Sequence, residues 1–377
     1  MSDDWDRRIL VTYVNEYMGD FIFDKNQHFY FSQAGFDYDL PKDGPIENYK
    51  KGIEDQPLLC GPAVFGLHSN AEISYYTNAA RYLWSNMLMM MPRTGGTGSG
   101  VSREEFILTT ARDILEKVPE AIDEVVVRKQ LPEVLRPAQI VLMQELERWN
   151  SLVVWMGQSL DDLGKAMTGE IGMSDSLEKL GDAIFNGQLP DQWKRLAPMS
   201  EKPLGSWINH FSGRSEQYNE WTDPERGEPP VMWLAGLHVP ESYLTALVQE
   251  ACRKRGWPLD KSISTTEVRG EWPNRDAYDG KKLEFGTLVS GLYLEGARWD
   301  IEAGMLALQH SKVLTVAMPL VQIIPVEANR LKLHGTFRTP VYITPQRANA
   351  MQVGHVFSAD LKSGVSICFC LYMCVFV

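Results

Sequence analysis

GTLVSGLYLEGARWD, residues 286–300, is the stretch from which the fold of the second half of the chain is read. Leu288, Ser290, Leu292 and Leu294 fall on one side of an extended chain, and Thr287, Val289, Gly291 and Tyr293 on the other. This period of two, with β-branched and aromatic residues, predicts a strand over 283–294. Glu295, Arg298 and Asp300 follow at its end. Three charges there fit either a catalytic cluster or a structural salt-bridge knot, and the knot is expected.

Downstream, further strands are predicted at 312–318, 320–326, 337–343 and 353–359, with Pro319, Pro325 and Pro340 at starts, edges or bulges. Strands at this spacing without helices between them point to an antiparallel sandwich or partly open barrel. Upstream, 231–237 is a short apolar strand candidate, and 222–230, with its prolines, is a boundary. Between them lies an amphipathic helix, 240–255, with Tyr243, Leu244, Leu247, Val248 and Ala251 inward. Its last turn holds Arg253, Lys254 and Arg255, which complement the helix dipole before Gly256.

The first half reads as helical. Leu142, Leu146, Trp149, Val153, Met156, Leu160, Leu163 and Met167 repeat at alternating spacings of four and three. Such a heptad seam, within a helix over 139–167, packs against antiparallel neighbours of the same domain or against a coiled-coil partner; the intramolecular packing is expected. Its neighbours are 174–186, closed by Gly187, and 204–218, with Leu204, Trp207, Ile208, Phe211 and Tyr218 on one side. Ser102 and Glu105 form a capping box ahead of Ile107, Ala111, Ile114 and Val118. Further helices are read at 3–18 and 71–91, the latter ending in Met87, Met89, Met90 and Met91. TGGTGSG, 94–100, lacks the lysine of a phosphate loop and reads as a linker.

A length of 377 residues suits two or three domains, and 44% hydrophobic with 23% charged residues is ordinary globular composition. A net charge of −12 argues against a nucleic-acid surface. No apolar run reaches the ~18 residues of a membrane span. Cys60, Cys252, Cys368, Cys370 and Cys374, an odd count without a leader segment, fit a reducing compartment. His28, His68, His210, His238, His310, His334 and His355 show no metal-ligand spacing, and the clustered cysteines lie in an apolar run. No catalytic, cofactor-binding or metal-binding residue is therefore assigned, and no cofactor is expected.

Strings along the full sequence carry a resemblance. Among them are DDWDRRIL (3–10), VFGLHSNAEISYYTNAA (64–80), QELERWN (144–150), FNGQLPDQWKRLAP (185–198), VMWLAGLHVPESYLTALVQ (231–249), GWPLDKS (256–262), GLYLEGARWD (291–300) and IPVEANRLKLHGTFRTPVY (324–342). Together they resemble the C-terminal end of dynein heavy chains. The pairing of GLHVPESYLTALVQ with GWPLDKS is similar to the axonemal branch, and to an outer-arm, gamma-like type within it.

The resemblance implies an α+β fold. Residues 1–91 would be the helical lid of the sixth AAA+ module, and 92–377 the C-terminal domain, with a helical half (102–221) and an antiparallel β-barrel-like half (231–377). It implies a structural and regulatory portion of an ATP-driven, minus-end-directed microtubule motor of the ciliary axoneme. Hydrolysis occurs elsewhere in such a motor, chiefly at its first AAA+ module, so this chain alone is not expected to be an enzyme. Implied partners are the rest of the heavy-chain AAA+ ring and the intermediate and light chains, with the microtubule reached only through a stalk outside this chain. Neither nucleic acid nor membrane is among them.

The pattern departs from the family after Leu361, where GVSICFCLYMCVFV (364–377) replaces a polar turn and a closing strand. This tail reads as a mispredicted exon or a read-through, and as an unpaired apolar edge prone to aggregation. The rival readings are a free-standing enzyme using Glu295, Arg298 and Asp300, and a scaffold protein using the 139–167 helix as a docking rod.

Overall fold

The computed structural model describes residues 102–200, 202–281, 283, 285–310, 313, 315–328, 335–343, 355–363 and 374–376. Before residue 102 it describes 7, 10–11, 14–15, 18–20, 29–30, 37–38, 43–55 and 69–90. The 94–100 linker, Met91, Cys60, Cys368, Cys370, His28, His68, His334 and most of the 3–18 helix lie outside the described residues. In this first part β1 (Phe29–Tyr30) and β2 (Asp37–Tyr38) pair antiparallel, ahead of helices α1 (Ile46–Glu54) and α2 (Ser69–Met90). No helix among the described residues is long and apolar enough to cross a membrane.

The helical half contains α3 (Arg103–Leu115), α4 (Glu124–Gln130), α5 (Pro137–Met167), α6 (Asp175–Phe185), α7 (Asp191–Leu196) and α8 (Leu204–Thr222). Polar residues cap the starts of several of them. Ser102 Oγ accepts from Glu105 N–H at 3.1 Å, and Asp123 Oδ1 accepts from Val125 and Val126 N–H at 2.9 and 3.1 Å. Helix α5 begins with Pro137, whose missing N–H costs nothing at that position.

The seam of α5 faces the interior of its own domain. Leu142, Leu146, Trp149, Val153, Met156, Leu160 and Leu163 are all buried, while Glu147, Ser151 and Val154 are exposed. Helices α3, α4, α6 and α7 pack on it, and α8 adds stacked rings: Trp149–Phe211 at 4.6 Å and Trp207–Phe211 at 5.5 Å between centroids. The heptad pattern thus serves a core and not a docking rod. Leu146→Ala should cost about 3 kcal/mol as a cavity-forming change, and Glu147→Ala less than about 0.5 kcal/mol. Equal urea midpoints for the two variants would contradict a core-facing seam.

The C-terminal half holds β3 (Val231–Trp233), α9 (Pro240–Arg255), β4 (Ser262–Arg269), β5 (Thr287–Ser290), β6 (Tyr293–Glu295), β7 (Ala297–Asp300), β8 (Met305–Leu308), β9 (Thr315–Ala317), β10 (Leu320–Glu327), β11 (Thr336–Tyr342), β12 (His355–Lys362) and β13 (Cys374–Phe376). One sheet has the order β3-β5-β10-β4, a second the order β12-β11-β13-β6-β9, and β7-β8 is a hairpin. Thr266 in β4 links the two sheets: it accepts from Asp360 N–H of β12 at 2.7 Å and donates to the Asp360 carbonyl at 3.1 Å.

Several expectations are corrected here. The β half is not purely antiparallel, since β3–β5 and β11–β13 pair parallel. Among the described residues its sheets do not close into a barrel. The strand expected at 283–294 is broken in two, with a third strand beyond Gly296. Gly291, at φ +84°, lets the backbone leave the first sheet after Ser290 and enter the second at Tyr293. Leu288 and Val289 are both buried because the first sheet is covered on both faces, which period-two reasoning does not anticipate. The tail, read from its sequence as an unpaired edge, instead places β13 inside the second sheet, parallel to β11 and antiparallel to β6.

Candidate functional site

The expected knot after the central strand forms only in part. Arg298 Nη1 lies 3.5 Å from Asp300 Oδ2, but no described ion pair reaches Glu295, whose carboxyl is pushed up by burial. Asp300 also has a local task. Its Oδ1 accepts from Glu302 and Ala303 N–H at 3.1 and 3.0 Å, and its carbonyl from Gly304 N–H, closing the β7–β8 turn. The Ala303 N–H, ahead of Arg298, holds this carboxyl below its ordinary value. A turn-forming aspartate paired to one arginine accounts for two of the three residues.

The other candidates are local as well. At the end of α9, Lys254 pairs with Glu250 at 2.8 Å, and Arg255 lies 4.6 Å over Trp257 and 4.4 Å over Phe285. Of the methionine run, Met87 is exposed. Cys252 is a buried free thiol. No group of metal-ligating side chains occurs among the described residues.

The chemically densest place is a buried joint between the two halves, which the sequence reading did not single out. Glu145, on α5, is fully buried and sits three residues after Leu142 and four before Trp149, within the apolar face. Its Oε2 accepts from Tyr218 OH at 2.7 Å and from His238 N–H at 2.6 Å. Its Oε1 accepts from Val239 N–H at 3.0 Å, and Arg148 Nη1 approaches at 3.5 Å. Val239 is the N-cap of α9 and Pro240 its first residue. A carboxylate from α5 therefore satisfies orphan N–H groups at the start of α9, where the helix dipole favours negative charge.

Arg214 and Gln217, also buried, extend the joint from α8. Arg214 Nε donates to Gly236 O at 2.9 Å and its Nη2 to His238 Nδ1 at 3.0 Å, with the guanidinium 5.2 Å over the Trp149 ring. Gln217 Oε1 accepts from Trp233 N–H at 2.8 Å, and its Nε2 donates to Trp233 O at 3.2 Å. Because an arginine can only donate, His238 must accept at Nδ1 and carry its proton on Nε2, 2.5 Å from Leu196 O. Burial, then Arg214, lowers His238 to about 3, and burial, then Lys202 and Arg214, lowers His210 to about 4. Both rings are neutral in the fold at pH 7, while the unfolded chain protonates them near 6.5.

The sign follows from proton uptake by the unfolded state. Below about pH 6.5 that state binds protons which the fold refuses, so stability falls as pH drops from 6.5 towards 4 and 3. Each histidine contributes a slope of up to about 1.4 kcal/mol per pH unit. His210→Gln should remove one such contribution, read from urea midpoints at pH 6.5 and 4.5. An unchanged slope would mean the ring is protonated in the fold.

The arrangement binds a helical layer to a sheet layer through one buried acid and the backbone of 233–239, and defines a mixed helix-and-sheet module built for packing. The C-terminal domain of the dynein heavy chain matches residues 77–370, and the dynein heavy chain AAA lid domain matches 1–71. The protein belongs to the dynein heavy chain family.

Among its relatives, the Dynein-1-alpha heavy chain of the flagellar inner arm I1 complex from Chlamydomonas reinhardtii is 51% identical over 365 residues, 96% of this chain. Dynein axonemal heavy chain 10 from Homo sapiens is 51% identical over 360 residues, 95% of this chain. The Dynein beta chain of the flagellar outer arm from Chlamydomonas reinhardtii is 31% identical over 363 residues, 96% of this chain. The chain spans 8% of the length of each of these relatives. An outer-arm type gains no support from these identities, since the relative named for an inner arm is the more similar of the two.

Proposed function

We propose that this chain is the structural and regulatory C-terminal portion of an axonemal dynein heavy chain, of inner-arm type, within an ATP-driven, minus-end-directed microtubule motor of cilia. The observation that carries the reading is the family match over 77–370 together with two axonemal or flagellar relatives at 51% identity. On this reading 1–91 is the lid of the sixth AAA+ module and 92–377 the C-terminal domain, with a helical half at 102–221 and a barrel-like β half at 231–377. The link between Thr266 and Asp360 across the two sheets supports the barrel-like form, and the matched ranges favour a lid border nearer residues 71–77. Partners are the rest of the heavy-chain ring and, through the whole complex, intermediate and light chains and the microtubule.

Hydrolysis belongs to modules outside this chain, and the missing lysine after Gly100 supports that assignment. The reading is tested by exchanging the matching segment of the Chlamydomonas inner-arm heavy chain for this chain. Assembled arms and restored motility are expected, and the isolated chain should show no micromolar ATP binding by calorimetry. A folded chimera that fails to enter the axoneme would sink the proposal.

A further inference from the structure

Beside the joint, where α8 and the loop before it face β3, β6 and β9, lies a cavity of about 360 Å³. Lys202, His210, Arg214 and His238 line it, together with the rings of Trp207 and Trp233. No carboxylate is among its described lining residues, although the protein as a whole carries a net charge of −12. The His210 ring lies 4.4 Å from that of Trp233 and makes no hydrogen bond among the described residues, so its polar edge is available. A concave site of this size, apolar and aromatic with a few converging polar groups, has the make-up of small-ligand sites.

We propose that this cavity binds a small anion carried on an apolar body: a carboxylate or phosphate monoester bearing an aromatic or branched alkyl group. The charge sits between Lys202 and His210, in the field of the buried Arg214, and the apolar body lies against Trp207 and Trp233. Lys202 is exposed, and its long stem lets the ammonium close on the anion without altering the fold. His210, kept neutral by burial and by these two cations, offers one N–H donor and gains affinity for a proton once an anion is beside it.

The test uses the full 377-residue protein, with calorimetry and the imidazole resonances of His210 followed by NMR, assigned by their loss in His210→Gln. Phenylacetate, phenyl phosphate, phenethylamine and inorganic phosphate are titrated separately. At least one of the two aromatic anions should bind and raise the His210 pKa, and the one that does names the anionic group. Lys202→Gln, an exposed change, should weaken that binding about threefold to fivefold without altering the melting temperature. Equal binding of phenethylamine, an equal response to inorganic phosphate, or no response of His210 to either aromatic anion would overturn the proposal.

Discussion

Glu145→Ala should destabilise the protein by about 4–5 kcal/mol, among the larger effects of a single substitution. The reason is the number of partners stranded. Tyr218 OH and the N–H groups of His238 and Val239 all donate to this fully buried carboxylate, and without it Tyr218 keeps only its longer contact with Gly236 O at 3.3 Å. Each donor left without a partner costs about 1–3 kcal/mol, and Arg148 loses the carboxylate 3.5 Å from its Nη1. Glu145→Gln keeps one acceptor oxygen and the shape, so it should cost about half as much. Urea unfolding followed by tryptophan fluorescence distinguishes the two variants. If both unfold at the parent midpoint, the joint does not hold the halves together. A loss confined to the C-terminal signals would instead show that the helical half folds without it.

The contrast between Leu146 and its neighbour Glu145 shows what the sequence makes legible. The seam from Leu142 to Leu163 is readable because apolar residues recur at the helical period, and every one of them is buried. Glu145 shares that face but counts as polar, so a pattern of apolar residues passes over it. Arg214 is hidden in the same way, three residues after Phe211 and four before Tyr218. A charged residue inside an apolar stripe is the signal that finds the joint, and its partners, the backbone groups of 236–239, have no side-chain signature at all.

The strands are harder to read for similar reasons. β10, β11 and β12 fall within a few residues of where alternation puts them. β4, with the sequence SISTTEVR, goes unread because only Thr266 in it is buried and its remaining residues are half or fully exposed. Parallel pairing of β3 with β5 depends on the path of α9 and β4 between them, which no local pattern encodes. The lid, by contrast, is legible through its motifs, not its periodicity. Most of the 3–18 helix lies outside the described residues, while the family match covers 1–71.

The stretch that decides the fold also contains its most sensitive backbone position. Gly286→Ala should cost about 5 kcal/mol or more, in the exceptional range for one methyl group. Gly286 sits at φ +73°, where a side chain adds about 1–2 kcal/mol of strain by itself. Collision adds more than this strain does. A Cβ there would lie 2.9 Å from the carbonyl carbon of Ile323 and closer still to its oxygen, both belonging to the main chain of β10. Backbone in a strand paired on both sides has no rotamer to escape into, so β5 and β10 must part. Their separation also breaks the bond from Gln322 Nε2 to the carbonyl of Phe285, which fixes the segment entering β5. Gly256→Ala is the matched control, because Gly256 has φ +68° with nothing within 4 Å of an added Cβ. It should lose only about 1 kcal/mol, the conformational cost alone. Equal losses in urea midpoint for the two substitutions would mean that β10 does not pass over Gly286, and that the first sheet is not ordered as β3-β5-β10-β4.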